Sequence, residues 1–165
     1  DLIEKDMAVY KIEKVATCNV PAARLFKAMI LQRHSTIQKL RPNSFKSNEL
    51  IQGDGGVGSI YKTLFADGHP LKYIMSRIDE LDVENFHCKY TIFEGGILRD
   101  NLASIVYEVK YDALGDSCNA KVTVHYIPKP GCSVNQEEVN VAEEKSFKLL
   151  KAVEEYLLAN PDICA

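Results

Sequence analysis

From Phe45 to Tyr126 apolar and polar residues alternate with a period of two, the mark of half-buried strands. The alternation predicts strands over 46–52, 59–66, 71–80, 86–94, 103–111 and 119–127. Turn residues punctuate them: Gly53-Asp54-Gly55-Gly56, Asp67-Gly68-His69-Pro70, Asp82 to Asn85, Gly95-Gly96 and Gly115-Asp116. Short turns between successive strands imply antiparallel pairing. Upstream, Val9 to Thr17 reads as a further strand. Pro21 then opens a helix over Ala22 to Arg33, with its apolar stripe on Leu25, Phe26, Met29 and Ile30. A second short helix around Ser35 to Leu40 must stop before Pro42. The last segment repeats at three and four residues: Val139, Ala142, Ser146, Leu149, Leu150, Val153, Tyr156 and Leu157 share one face. Glu144/Lys148 and Lys151/Glu155 are spaced as ion pairs on the other face. This helix spans roughly 30 Å and ends at Asn160-Pro161. The order predicts an α+β architecture, with helices gathered on one side of an antiparallel sheet.

Alternation also assigns faces. The less charged sets are Cys88, Tyr90 and Ile92; Ile105, Tyr107 and Val109; and Val122, Val124 and Tyr126. They are expected to point inward, with Tyr61, Thr63 and Phe65 and with Ile74, Ser76 and Ile78. Such residues either fill a core or line a hollow. Tyrosines favour the hollow, because a buried hydroxyl needs a partner.

Composition narrows the class. The chain has 165 residues, 46% apolar and 26% charged, with a formal net charge of −3. Scattered, outnumbered basic residues carry no nucleic-acid footprint. No apolar run is long enough to cross a membrane, and no secretory signal is expected. Five cysteines without CxxC spacing read as free thiols in a reducing, cytoplasmic setting rather than as a disulfide framework or zinc site. Met7 resembles a natural start, so residues 1–6 read as non-native and 7–165 as a single ligand-binding domain.

Few motifs carry chemistry. The run Gly53, Gly55, Gly56 and Gly58 invites a phosphate-loop reading, but a strand follows it instead of a helix, so a tight hairpin turn is expected. The four histidines show no metal spacing. No catalytic residue, metal or cofactor is expected.

PAARLFKA (Pro21 to Ala28), GDGGVGSI (Gly53 to Ile60), DGHPLKY (Asp67 to Tyr73), KYTIFEGG (Lys89 to Gly96) and VEEYLLANP (Val153 to Pro161) resemble the class-10 pathogenesis-related proteins, the family of the major birch-pollen allergen. FEGGILRDN and the PKPGC segment look like a branch named for phenolic oxidative coupling. The resemblance implies a seven-stranded antiparallel curved sheet wrapped around the long C-terminal helix, two short helices and a large internal hydrophobic cavity. It implies a plant defence-related carrier or store of flavonoids, cytokinins or similar amphiphiles, a monomer or weak dimer that binds neither nucleic acid nor membrane. The expected ligand-binding set is Arg33, Tyr61, Phe65, His69, Ser76, Cys88, Tyr90, Tyr107, Phe147 and Leu150. Arg33 and Lys39 either guard an entrance or stand in solvent. His69 is either a rim contact or a plain turn residue.

The alternatives are an enzyme of secondary metabolism or a ribonuclease. The catalytic lysine of the related norcoclaurine synthases falls near Cys88, with Lys89 next to it expected to point outward. Oxidative coupling would need a metal, flavin or haem, for which no motif is found. Of the residues proposed for ribonuclease action in the family, Glu154 and Tyr156 remain, while Tyr61 and Ala103 stand at the other positions.

Overall fold

The computed structural model describes residues 8–165. The reading of residues 1–6, and of Met7 as the start, lies outside them. Strand β1 (Tyr10–Cys18) leads to helix α1 (Ala22–Phe26), which widens into a π turn (Lys27–Leu31), and to α2 (Arg33–Leu40). Six strands follow: β2 (Phe45–Gln52), β3 (Ile60–Phe65), β4 (Tyr73–Asp82), β5 (His87–Gly95), β6 (Leu102–Leu114) and β7 (Ser117–Pro128). Helix α3 (Gln136–Ala159) closes the fold. Among the described residues the strands form one seven-stranded antiparallel sheet in the order β1-β7-β6-β5-β4-β3-β2.

Two local features depart from the simple pattern, each with a physical cause. Ala22 to Arg33 is not one helix. The Gln32 amide donates to the Lys27 carbonyl, five residues back, at 2.8 Å, and Gln32 then leaves helical geometry (φ −120, ψ 30). That widened turn starts a new helix at Arg33. In β4 the pairing slips between Ile78 and Glu80. Unbroken alternation would send Glu80 inward and Leu81 outward; the bulge reverses both, and Leu81 pairs with Cys88 and joins the inner face.

The core lies at one end of the sheet. Val20, Leu25, Phe26 and Ala28 pack against Tyr111, Ala120, Val153 and Leu157, all buried. Phe26 meets Tyr111 edge-on with ring centres 6.2 Å apart. Arg24 fastens this end: its Nη2 donates to the carbonyls of Leu157, Asn160 and Ile163 at 2.9, 2.8 and 2.8 Å. At the other end Asn135 caps α3, its side chain accepting from the Glu137 and Glu138 amides.

Helix α3 differs from its expected stripe in the middle. Val139, Leu150, Val153 and Leu157 are buried, but every residue from Glu144 to Lys148, Ser146 included, is exposed. Glu144 and Lys148 pair at 3.1 Å as spaced. Lys151 instead takes Glu154 at 3.2 Å, because Glu154 is held inward by the Asn19 amide.

Candidate functional site

Between the concave face of the sheet, α1–α2 and α3 lies a cavity of about 970 Å³. Antiparallel pairing sets the inner residues side by side. Tyr61 stands opposite Ser76, Ile78 opposite Tyr90, and Tyr90 opposite Tyr107. The inward sets expected on β3 to β7 all line it. Leu31, Val141 and Phe147 also line it while about half exposed (47%, 51% and 48%), which places them at its mouth.

All ten expected binding residues border this one space. Tyr90 and Tyr107 stack with ring centres 5.0 Å apart and planes 13° from parallel. Ser76, Cys88 and Leu150 form wall. Phe147 stands at the mouth instead of on the wall, with the Lys151 ammonium 5.8 Å from its ring centre. His69 is both turn residue and rim residue. Its Nδ1 accepts from the Leu71 amide at 3.2 Å, and its ring stacks on Phe65 at 4.6 Å. Arg33 borders the cavity, whereas Lys39 is exposed and outside the lining.

The glycine loop serves the hairpin between β2 and β3. Gly53, Gly55 and Gly58 have positive φ. The amides of Gly55, Gly56 and Gly58 donate to Ser59 Oγ, Asp54 Oδ1 and the Ile78 carbonyl at 2.8, 2.9 and 2.8 Å. Donors already bonded to the loop and to β4 do not cradle a phosphate. The residues of the ribonuclease reading are not gathered: Tyr61 lines the cavity, and buried Glu154 is bound to Asn19 and Lys151 outside it.

Sequence reasoning missed the acid on the wall. Glu143 of α3 is 7% exposed, accepts from the Tyr126 hydroxyl at 3.0 Å and lies 3.4 Å from Lys14 Nζ. A period count reveals neither partner; only the spacing Val139–Glu143 on the buried face hints at it. The Tyr90 and Tyr107 hydroxyls take no hydrogen bond among the described residues, yet no sealed side-chain donor there lacks a partner. They therefore open onto the cavity.

Burial in the core and the cavity wall shifts the acid–base chemistry. Burial pushes the Cys88 and Cys118 thiols up to about 11 and raises Tyr90, Tyr107, Tyr111 and Tyr126. The unfolded chain loses these protons first, from about pH 9 upward, while the fold retains them. It then binds fewer protons than the native state, so stability falls as pH rises through that window. The urea midpoint should drop steadily between about pH 8 and 10.5; a flat midpoint would show that these groups are hydrated.

An antiparallel sheet curled over a long helix, with a tyrosine-lined hollow between, defines a class of cavity protein. The chain belongs to the Pathogenesis-related protein Bet v 1 family, whose model matches residues 7–160. It is 41% identical over 157 residues to the major pollen allergen Bet v 1-C of Betula pendula, covering 94% of this chain and 98% of that one. The crystal structure of Ara h 8.0201 superposes with a TM-score of 0.83 at 29% identity, over 93% of this chain and 100% of that one. Norcoclaurine synthase from Thalictrum flavum, solved with dopamine and hydroxybenzaldehyde, shares the fold at 23% identity and a TM-score of 0.70, over 96% and 92% of the two chains.

Proposed function

We propose that residues 7–165 act as one ligand-binding domain that carries or stores small hydrophobic or amphiphilic metabolites, of flavonoid, cytokinin or similar type, as a defence-related protein of the plant cytoplasm. The observation that carries this is the cavity of about 970 Å³, apolar on most of its wall and furnished with open tyrosine hydroxyls. That volume is at the upper end for small-molecule sites, and sparse polar groups on apolar walls are their usual composition. No helix among the described residues is long and apolar enough to cross a membrane. At the position where a catalytic lysine was sought, the wall carries Cys88, whose thiol burial keeps protonated at neutral pH.

A naphthalene-sulfonate dye should gain fluorescence on binding, with a dissociation constant on the order of micromolar, and flavonoids or cytokinins should displace it. Ser76→Phe, which fills wall space opposite Tyr61, should weaken dye binding about tenfold while the protein stays folded. Absence of dye uptake by the native protein would refute carriage.

A further inference from the structure

The charges around the cavity do not cancel. Lys14 faces Glu143 at 3.4 Å, and Arg99 faces Glu138 at 3.4 Å. Lys145 stands in solvent. Arg33 is half-buried, borders the cavity and has no carboxylate partner among the described residues. Its bond there is a long one, from Nη1 to the Met29 carbonyl at 3.4 Å. A guanidinium carries five donors in a planar fork matched to a two-oxygen anion, so most of this one's capacity is unused. The widened turn at Lys27–Leu31 and the bend at Gln32 put Arg33 at the head of α2, beside the hollow.

The surroundings strengthen the pull. Burial raises Tyr90, Tyr107 and Tyr111, and Arg33 opposes that rise in each, so its charge is felt deep in the wall. Glu143, the acid of the lining that faces Tyr107 and Tyr126, is already offset by Lys14. The uncompensated charge bordering the hollow is therefore positive.

We infer that the preferred ligand is a hydrophobic molecule bearing one acidic group, whose anion pairs with Arg33 while its apolar body fills the tyrosine-lined hollow. This rests on the carriage reading and adds a charge requirement to it. A carboxylate or a sulfate would each satisfy the fork. A neutral molecule of the same shape would leave the guanidinium without an anion.

The test uses a matched pair, 1-naphthaleneacetic acid and 1-naphthaleneacetamide, titrated calorimetrically into the intact protein at neutral pH. The acid should bind at least about tenfold more tightly, the range of a charge-assisted hydrogen bond. Arg33→Gln should weaken binding of the acid until the two lie within about threefold, and Arg33→Lys should retain part of the preference. Arg99→Gln, which removes a cation already paired with Glu138, should keep the preference intact. Melting curves confirm that each variant is folded. Equal binding of acid and amide by the native protein overturns the inference and leaves carriage standing. A preference that survives Arg33→Gln also overturns it. If neither compound binds and the dye does not bind either, carriage fails and this inference with it.

Discussion

Gly95→Ala should lower the melting temperature by roughly 5–20 °C, the equivalent of about 2–6 kcal/mol from backbone strain and overpacking together. Gly95 has φ +123, a conformation that side chains with a Cβ rarely adopt, and an added Cβ would sit 2.3 Å from the Tyr73 carbonyl oxygen and 2.7 Å from Ile74 Cα. These are backbone atoms and cannot rotate away. The next glycine is closed in the same manner, since a Cβ on Gly96 would meet the Leu71 carbonyl oxygen at 2.4 Å. The paired glycines after Glu94 thus let the start of β4 cross close to the end of β5. Ile74 pairs with Gly95 and lines the cavity, so dye affinity should fall with stability. Circular dichroism melts decide the matter; a shift below about 2 °C would show that the crossing yields easily.

Arg24→Ala should cost about 2–4 kcal/mol, because it strips the donors from three carbonyls at and beyond the end of α3. Nε adds a further bond to the Ile163 carbonyl at 3.0 Å. The partners lie more than 130 positions away in sequence (separations 133, 136 and 139), so the loss undocks α3 from α1 and does not merely fray one helix. Arg24→Lys should recover only part of the loss, as one ammonium cannot reproduce the fork. Urea unfolding at neutral pH measures both variants. Full rescue by lysine would mean that charge alone, and not the fork, holds the helix.

The sheet was legible because strand pattern is local. Period-two alternation is visible within a few residues, and the cavity wall on β3, β5, β6 and β7 followed from it together with the inward choice of the less charged face. It failed past Ile78 because a bulge is one residue inserted against a partner strand, and the partner is not written nearby. The break between the two short helices was expected after Arg33 and falls at Gln32, because AARLFKAMILQR has good helix formers throughout and the π turn is not written in its apolar spacing.

The polar members of the site divide in the same manner. Tyr90 and Tyr107 were named from alternation, but their stacking needed the β5–β6 register. The periodicity assigns no inward role to Arg24, Glu143 or Glu154. Each is held inward by a group more than 100 residues away (Arg24 and Glu154) or in the facing strands (Glu143).

The amino-acid sequence by itself determined the order of elements, the face that β3 to β7 turn to the interior (on β4 as far as Ile78) and the tyrosines on that face, because periodicity and turn chemistry act over a few residues. Tertiary structure alone decided that the interior is hollow, that Phe147 stands at its mouth and that Arg33 stands beside it without a carboxylate. Those outcomes depend on where α3 lies over the sheet and on how the turn before α2 is wound, and both are settled by contacts between segments far apart in the chain.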